Sequence, residues 1–555
     1  MEDKLVSEAD FNAVSEEAKR LNQGVAEILI SRGLVTELYY ENLLAKYFNV
    51  PMADLTSREI DEPVLKLLPE ELSRQKRTVL FGREPDGTIS AAMEDPSDLV
   101  NVEFLERYLN ARIKPYLAVT SGLNKGFALY SEAVAVDYNK LIEEAIIASK
   151  QSRVKGEEAA EDVPIVSIVD NILSYAMALR ASDIHIEIFD DAILVRYRID
   201  GILKEVFRIP KEIHPAIAAR FKLLGGLKID EHAKPQDGRF RYQIGSDVID
   251  IRVAIMPTFY GEKIEMRLLP ASTRPLSFAE LGMLPDTVKA LEENIKKSYG
   301  MMLVTGPTGS GKSTTLYSVL GRLNRPEINI VTVEDPIEYD IKFINQTQIN
   351  VRAGITFADG LRAILRQDPN VIMIGEIRDS ETAEIAVQSA LTGHLVLSSL
   401  HTNDAPTAVP RFIDINVPSF LVAAVLNIIL AQRLVRQVCK SCMYSYAPSE
   451  DLIAAVTKQI KDLGITGEFK MPKFIYAGKG CPVCGGSGYR GRIGIFEVLN
   501  ITEEVRKLII SPDFSLDKLR QLAKEQGMIT MFEDGLRKIE TGVTTIDELL
   551  RVIRE

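Results

Sequence analysis

The spacing of hydrophobic and polar positions changes twice along this chain, and the changes predict three folded regions. The first region, residues 1–128, mixes helical apolar periodicity with short strand-like runs, which predicts a small α/β domain. The second region, residues 163–270, begins with an amphipathic helical pattern and continues with alternating apolar and polar positions, the spacing of half-buried strands. In the third region, residues 285–555, helical patterns alternate with short apolar runs.

The alternation in the third region is typical of a parallel sheet that is covered by helices on both faces. Its predicted strands are 301–304, 329–333, 371–374 and 394–398. Residues 420–431 are nearly all apolar, but they fall well short of the roughly 20 residues that span a bilayer, so we predict a buried helix there. Residues 499–555 carry helical patterns alone and form a predicted helical tail.

Two stretches between these regions are predicted linkers. Residues 129–162 are largely polar and acidic, with few large apolar side chains to bury. Residues 271–284 carry Pro, Ser and Gly at positions that interrupt helices and strands.

Composition and charge narrow the class of protein. Apolar residues make up 46% and charged residues 26%, the balance of a soluble globular protein. The net charge of −12 argues against a surface that mainly neutralises the phosphates of nucleic acid. A local basic channel is still compatible with this charge. The amino terminus lacks a basic segment followed by an apolar one. We therefore expect a cytoplasmic protein with no transmembrane segment and no nucleic-acid partner.

A glycine-rich segment follows the first predicted strand of the third region and precedes a helical pattern, the setting that a phosphate-binding loop requires. Its residues are Gly306, Pro307, Thr308, Gly309, Ser310, Gly311, Lys312, Ser313 and Thr314. Glycines let backbone N–H groups turn towards phosphates, Lys312 supplies a charge to the outer phosphates, and the Ser313 hydroxyl is a ligand for Mg²⁺. Because the guanine-reading Asn-Lys-x-Asp signature does not occur downstream, the predicted nucleotide is ATP.

Two carboxylates follow predicted strands of the same sheet. Glu334 comes directly after 329–333, and Glu376 comes two residues after 371–374. Open α/β sheets bind ligands outside the carboxyl ends of their strands. Phosphoryl transfer needs one carboxylate for Mg²⁺ and another to orient or deprotonate the attacking water. We assign Glu376, together with Ser313, to Mg²⁺ and Glu334 to the water, and the two roles are interchangeable at this stage.

Two histidines flank the fourth predicted strand of this sheet. His394 opens the strand and His401 follows it. We expect both near the γ-phosphate, where a histidine acts either as a phosphate sensor or as an ordinary hydrogen-bond donor of a loop.

The four cysteines form two Cys-x-x-Cys pairs, Cys439 with Cys442 and Cys481 with Cys484. Four thiolates complete a tetrahedral zinc site and leave no open position for catalysis. The intervening residues outnumber the roughly 15 to 20 of usual zinc ribbons. We predict a structural zinc element over 436–493, with unmetallated thiols as the alternative.

Several motifs occur here in one order: 182–187 (SDIHIE), 196–201 (RYRIDG), 235–239 (PQDGR), the phosphate loop, 334–336 (EDP), 365–369 (LRQDP), 375–378 (GEIR), 392–394 (TGH) and the cysteine pairs. From about residue 160 to the end, the sequence resembles the secretion ATPase family that powers type II secretion and type IV pilus assembly, the GspE/PilB group. The resemblance implies an α/β fold with a RecA-like ATPase core, preceded by a PAS-like domain and a small amino-terminal domain, and with a tetracysteine zinc element.

The resemblance also implies a homohexameric ring, in which the second region and the ATPase core of adjacent subunits clamp the nucleotide. Arginines in the matching motifs are then candidates to reach the phosphates, and they are Arg196, Arg239, Arg252 and Arg267. Guanidinium groups stabilise the charge that spreads in the transition state. Each of these side chains is equally well explained as an ordinary strand-pairing arginine.

The resemblance further implies that the cysteine element helps to dock an inner-membrane platform protein. In some relatives the first region binds a cyclic dinucleotide through repeated Arg-Leu-Gly motifs, but here Arg20 and Leu21 are followed by Asn22. We therefore expect the first region to tether the motor to a membrane-bound adaptor. Two other readings remain open, a ring ATPase that moves DNA and a nucleotide-gated scaffold that does not hydrolyse ATP.

Overall fold

The computed structural model describes residues 60–118, 163–244, 247–270, 274–350, 353–462 and 471–554, with shorter stretches before residue 60 and a few residues between 122 and 147. Arg20 to Asn22 and nearly all of the first predicted linker lie outside the described residues. The chain divides into two compact units. The first unit comprises Met1–Ala271, Val438–Ile453 and Met471–Arg490, and the second comprises Ser272–Gln437, Ala454–Lys470 and Gly491–Glu555.

The first region contains a small α/β fold, as its mixed pattern predicts. Its elements are α1 (Glu37–Phe48), α2 (Glu62–Leu65), α3 (Glu70–Gln75), β1 (Thr78–Arg83), β2 (Ile89–Met93), α4 (Leu99–Leu109) and β3 (Ile113–Leu117). Strand β2 lies between an antiparallel β1 and a parallel β3, and all five of its residues are buried. Helix α4 is capped by Asp98, the residue before it, whose carboxylate accepts a hydrogen bond from the Asn101 amide at 3.0 Å.

The second region forms a six-stranded antiparallel sheet that is covered on one face. Its elements are α5 (Val163–Ala178), β4 (Asp183–Ile188), β5 (Ala192–Ile199), β6 (Ile202–Pro210), α6 (His214–Leu224), β7 (Gln236–Ile244), β8 (Asp247–Thr258) and β9 (Gly261–Pro270). The strand order is β6-β5-β4-β9-β8-β7. Ile184 and Ile186 pack into one core with Ile172 of α5 and Phe221 of α6. Because side chains alternate along a strand, Asp183, His185 and Glu187 lie on the other face.

The third region has the predicted parallel sheet between helices. It begins with α7 (Phe278–Leu281), α8 (Pro285–Ile295), β10 (Gly300–Thr305), α9 (Lys312–Leu323), β11 (Ile330–Glu334), β12 (Asn345–Gln348), α10 (Phe357–Ile364), β13 (Val371–Ile374), α11 (Ser380–Leu391), β14 (Leu395–Leu400), α12 (Ala408–Asp414), α13 (Ser419–Val425) and β15 (Leu426–Val438). It continues with β16 (Met443–Tyr446), α14 (Glu450–Asp462), β17 (Ile475–Gly478), β18 (Tyr489–Asn500), α15 (Glu503–Ile510), α16 (Leu516–Glu525), α17 (Met531–Glu540) and α18 (Ile546–Arg554). The large sheet has the order β12-β11-β13-β14-β10-β15-β18. The four predicted strands are confirmed as β10, β11, β13 and β14, and the helical tail is confirmed as α15 to α18.

The prediction of one buried helix over 420–431 is wrong. Helix α13 ends at Val425, and β15 begins at Leu426 and pairs in parallel with β10. A continuously apolar run has no periodicity that separates a buried helix from a buried strand. The partner strand, more than a hundred residues earlier in the chain, decides the conformation here.

The second predicted linker is also partly wrong. Residues 277–280 form a capping box, in which the Ser277 hydroxyl accepts from the Glu280 amide and the Glu280 carboxylate accepts from the Ser277 amide. This arrangement starts helix α7, and Phe278, Leu281 and Met283 are buried in the ATPase core. The same sequence that interrupts the preceding strand thus nucleates a short helix.

The compact units divide the third region differently from the sequence prediction. The cysteine-bearing segments Val438–Ile453 and Met471–Arg490 group with the first compact unit, whereas the sequence assigned them to the ATPase domain. In the part of the chain that the structure describes, no helix combines the length and the apolar character that crossing a membrane requires.

Candidate nucleotide site

The phosphate loop joins the buried strand β10 to helix α9. Gly306 and Gly311 have φ angles of 147° and 89°, which favour glycine. A Cβ atom at Gly306 would lie 2.4 Å from the backbone oxygen of Gln432, so a larger residue does not fit there. The first turn of α9 follows immediately, and its free amide groups face an anion-binding position.

The side chains of the loop fit a phosphate and its Mg²⁺. The Lys312 ammonium donates to the carbonyl oxygens of Gly306 at 2.9 Å and Pro307 at 3.1 Å, so it lies over the loop itself. Burial lowers the pKa of Lys312, and the negative charge of Glu376 opposes that shift. The Ser310 hydroxyl is buried and has no partner among the described residues, while Ser313 is exposed. The loop therefore offers a cation, an unpaired hydroxyl and an accessible hydroxyl.

Gln432 holds the backbone of the phosphate loop in place, and it was not among the residues predicted from the sequence. Its side-chain amide donates to the Ser310 carbonyl at 2.7 Å, and its amide oxygen accepts from the Thr315 hydroxyl at 2.6 Å. Gln432 is buried on β15, directly after Ala431, which pairs with Thr305 at the end of β10. A polar residue at the end of an apolar run was the available signal, but the run was interpreted as a helix.

Glu334 ends β11 and is buried among hydrogen-bond donors. Its side chain accepts from the Tyr317 hydroxyl, from the Thr332 hydroxyl and from the Gln346 amide at 3.0 Å. Glu334 is only 3% exposed, and burial raises its pKa above the usual range although these donors oppose the shift. A carboxylate with a raised pKa is a stronger base, which suits the predicted role of orienting or deprotonating water.

Glu376 lies just beyond β13 and is partly accessible. Its carboxylate is 2.6 Å from the Arg378 guanidinium and 3.2 Å from Nε2 of His401. His401 follows the last residue of β14, so it comes from the carboxyl edge of the sheet as predicted. The charge of Glu376 acts on the pKa of Lys312, so the two side chains lie within electrostatic range of each other. A carboxylate oxygen and the Ser313 hydroxyl are hard oxygen ligands of the kind that Mg²⁺ takes.

The predicted position of His394 is wrong. His394 precedes β14, and the pairing of Gly300 with Leu395 puts it at the amino edge of the sheet, whereas the phosphate loop lies at the carboxyl edge. Its Nδ1 atom lies 2.9 Å from the Ser389 carbonyl oxygen. Residues at the two ends of one strand are close in sequence but face opposite edges of the sheet, which rules out a γ-phosphate contact within the chain.

The candidate arginines lie in the second region, on the face of its sheet opposite to α5 and α6. Strand pairing aligns five charged residues side by side, and we call this set the arginine row: Arg198, Asp183, Arg267, Arg252 and Arg239. Asp183 contacts Arg267 at 3.1 Å and Arg198 at 3.4 Å. Arg198 was missed by the sequence analysis, although it lies in the motif that also contains Arg196.

Carboxylates hold the other arginines of this face as well. Arg239 lies 3.4 Å from Asp250, and Arg196 lies 2.8 Å from Glu187. These pairs keep the guanidinium groups extended along the sheet while they stay accessible to solvent. The face therefore presents ordered cations that could meet a polyanion.

The four cysteines converge on one point in the first unit. The sulfur atoms all lie within 4.8 Å of one another, with Sγ–Sγ distances of 3.9 Å for Cys439 to Cys481, 3.9 Å for Cys442 to Cys484 and 3.7 Å for Cys481 to Cys484. Tetrahedral zinc with Zn–S bonds of about 2.3 Å requires sulfur separations of about 3.8 Å. The cysteine cluster therefore fits a structural zinc ion.

Comparison with known proteins identifies the family. A model described as "Type II/IV secretion system protein" matches residues 158–551. The chain belongs to this family. A model of the MshEN domain matches residues 48–131, in the small α/β fold of the first region.

Two relatives match this chain over nearly their whole length, and one of them is an ATPase by name. The type IV pilus assembly ATPase PilB of Myxococcus xanthus is 38% identical over 556 residues, which cover 99% of this chain and 97% of the relative. The type II secretion system protein E of Pectobacterium carotovorum is 39% identical and covers 91% of this chain and 100% of the relative. The ATPase DotB of Legionella pneumophila shares the fold, with a TM-score of 0.51 at 22% identity over 71% of this chain and 96% of that one.

Membership and geometry together establish the activity. The chain is an ATPase of the type II/IV secretion family, and the predictions of family, fold class and ATP hydrolysis are confirmed. The individual roles of Glu334, Glu376 and the arginines stay predictions.

Proposed function

We propose that this ATPase is the motor that assembles a type IV pilus or the pseudopilus of a type II secretion system. The observation that carries the proposal is the similarity to PilB of Myxococcus xanthus, which extends over nearly the whole of both chains. The match includes the first region, the second region and the ATPase core together, so the whole arrangement of domains is shared.

In the proposed reaction the phosphate loop and Lys312 hold the phosphates of ATP. Ser313 and Glu376 hold Mg²⁺, which neutralises negative charge on the outer phosphates. Glu334 accepts a proton from the attacking water, and Tyr317 fixes the orientation of its carboxylate. Because His401 contacts Glu376, it couples the nucleotide site to the loop that follows β14.

We further propose that the chain works as a homohexameric ring, in which the arginine row of one subunit faces the nucleotide of a neighbour. Two observations support this arrangement. The row places Arg239, Arg252 and Arg267 on adjacent strands, although the whole chain carries a net charge of −12. Guanidinium groups stabilise the transferring phosphoryl group, and no phosphate-binding loop was found in the second region for them to serve.

The cysteine cluster and the first region are the proposed contacts with membrane proteins. The cysteine cluster, with zinc bound, forms a rigid element that docks on an inner-membrane platform protein. The first region binds a membrane-tethered adaptor, so the motor acts from the cytoplasmic side of the inner membrane. The geometry of the four sulfur atoms supports the zinc, and the match to the MshEN domain supports a separate adaptor domain.

Replacement in the native cell tests the proposed function. A chromosomal Lys312→Ala variant should abolish surface pili or secretion of the substrate protein, while a Lys289→Ala variant on an exposed part of α8 should not. The purified chain with Mg²⁺ and an ATP analogue should sediment as six times 61.7 kDa, about 370 kDa. Normal pili and normal secretion in the Lys312→Ala strain would refute the motor role, and stimulation of turnover by DNA would point instead to a DNA motor.

A further inference from the structure

A cavity of about 460 Å³ lies in the second unit, at the amino edge of the large sheet, and we call it the amino-edge cavity. Its volume falls within the range of small-molecule sites. Val371 and Leu395, which line it, are the first residues of β13 and β14, whereas the phosphate loop follows the last residue of β10. Strands of this length separate the two places by about 20 Å. The amino-edge cavity is therefore distinct from the nucleotide site.

The lining of the amino-edge cavity combines aliphatic side chains with charged groups, and four of its six charged residues are cations. Five aliphatic side chains contribute to it: Ile295, Leu323, Ile328, Val371 and Leu395. Arg322 also lines it and is paired with Glu292 at 3.1 Å. An aliphatic wall favours the apolar body of a ligand, because such a body leaves water when it binds.

Three further cations line the cavity, and all three are exposed to solvent. Among the residues that the structure describes, none forms an ion pair with Lys296, Lys297 or Arg325. Lys297 donates instead to the side-chain oxygen of Asn294 at 2.7 Å. Burial lowers the pKa of Lys297, and the positive charge of Arg506 lowers it further.

The helix ends nearby account for only part of this positive charge. Helices α8 and α9 both end at the cavity, and each helix C-terminus carries roughly half a negative charge. Three unpaired cations and the single carboxylate of Glu327 sum to about two positive charges. After the two helix ends are counted, about one positive charge remains, in a chain whose net charge is −12. An anionic ligand group would neutralise this excess.

We propose that the amino-edge cavity binds an amphipathic anion, an aliphatic or aromatic body that carries a phosphate or carboxylate group. The aliphatic wall buries the body, and Lys296, Lys297 and Arg325 hold the acidic group. Both a free acid and an anionic lipid have this chemistry. Because the cavity lies away from the phosphate loop, the ligand binds together with ATP and does not compete with it.

Calorimetric titration with octyl phosphate tests the proposal on the full chain. Excess ADP and Mg²⁺ are present, so that the phosphate loop is already occupied. Octyl phosphate should bind at least tenfold more tightly than octanol, which lacks the charge, and than inorganic phosphate, which lacks the body. Equal affinity for octanol or for phosphate overturns the proposal. Displacement by phosphatidylglycerol vesicles assigns a lipid source, and binding without displacement assigns a free acid.

Variants locate the binding to this cavity. The triple variant Lys296→Gln, Lys297→Gln, Arg325→Gln should weaken octyl phosphate binding at least tenfold, and Ser298→Trp, which fills the cavity, should do the same. Lys289→Gln removes an exposed lysine of α8 that does not line the cavity, and it should change the affinity less than twofold. Unchanged ADP affinity shows that each variant is folded. Wild-type affinity for octyl phosphate in both the triple variant and Ser298→Trp overturns the proposal.

Discussion

The phosphate loop of the second unit and the arginine row of the first unit both carry positive groups, but they are built in different ways. The loop is held from within its own domain: Gln432 fixes its backbone, and Glu334 is surrounded by donors from β11, β12 and α9. In the arginine row, Asp183 contacts Arg267 and Arg198, Asp250 contacts Arg239, and Arg198 also donates to the Gly201 carbonyl. Arg267 and Arg239 reach solvent.

The difference predicts what each surface contributes to catalysis. A buried network fixes its carboxylate before the nucleotide arrives, which is the preorganisation that lowers a reaction barrier. The arginines of the row are partly exposed, and the phosphate loop lies in the other compact unit. We therefore expect substitutions in the loop to abolish turnover within one chain, and substitutions in the row to act on another chain.

The largest expected effect is that of Lys312→Ala. The variant removes the charge over the phosphate loop, and ATP turnover should fall at least about a thousandfold, in line with the loss of a group that stabilises transition-state charge. Steady-state phosphate release measures the change, and circular dichroism should show an intact fold. The matched control, Lys289→Ala on α8, should keep wild-type turnover. Appreciable turnover in Lys312→Ala would show that the loop does not hold the reacting phosphates.

Glu334→Gln should lower turnover by about 10²- to 10⁴-fold, the usual contribution of a general base. ADP affinity should stay the same, because the loop itself is unaltered. Turnover of the wild type should also fall as the pH drops through the raised pKa of Glu334, since only the ionised carboxylate accepts a proton. Asp340→Asn, an exposed carboxylate on the segment after β11, is the control. If Glu376→Gln alone gives this loss and Glu334→Gln does not, the two roles are exchanged.

Arg239→Ala should lower turnover about a hundredfold if the row serves a nucleotide. Mixing Arg239→Ala subunits with Lys312→Ala subunits then decides which chain it serves. Partial recovery of turnover in the mixture is expected, because some sites combine an intact loop with an intact row from the neighbour. A mixture as inactive as its components would place Arg239 at the nucleotide site of its own chain. The row would then not act on a neighbouring subunit.

Cys442→Ser should remove zinc without changing the nucleotide site. Metal analysis should find about one zinc per wild-type chain and close to none in the variant, because a structural site needs all four thiolates. Turnover of the variant should stay within about twofold of the wild type, since the cysteine cluster belongs to the other compact unit. A wild-type protein that is stable without bound metal would refute the predicted zinc site.

The smallest effect concerns Glu497, whose side chain accepts from the Ala405 amide at 2.9 Å in the loop after His401. Burial raises its pKa to about 7. A raised carboxyl pKa means that the folded state holds the proton more tightly, so its stabilising effect is present at low pH and is lost as the pH rises towards 7. Relative to Glu497→Gln, the free energy of unfolding of the wild type should fall by about 2 kcal/mol between pH 5 and pH 8. Thermal unfolding across this range measures it, and parallel curves would contradict the shift.

Local patterns in the sequence determined the elements and the chemistry that depend on neighbouring residues. The phosphate loop lies between strand and helix as predicted, and Glu334 and Glu376 follow the strands that the apolar runs indicate. The alternation in the second region indicated its strands, and the arginines lie on the face opposite to the apolar core. These features need only a few consecutive residues, and backbone geometry translates such patterns directly into structure.

The conformation of residues 426–431 and the positions of Gln432, His394 and Arg198 depend on pairing between distant strands. Pairing of β15 with β10 turned half of a predicted helix into a strand and brought Gln432 to the loop. The parallel register of β14 with β10 placed His394 at the wrong edge for a phosphate contact, and the register of β5 with β4 added Arg198 to the row. Periodicity reports which face a residue takes, but register and strand order arise from contacts far apart in the chain, so no local pattern encodes them.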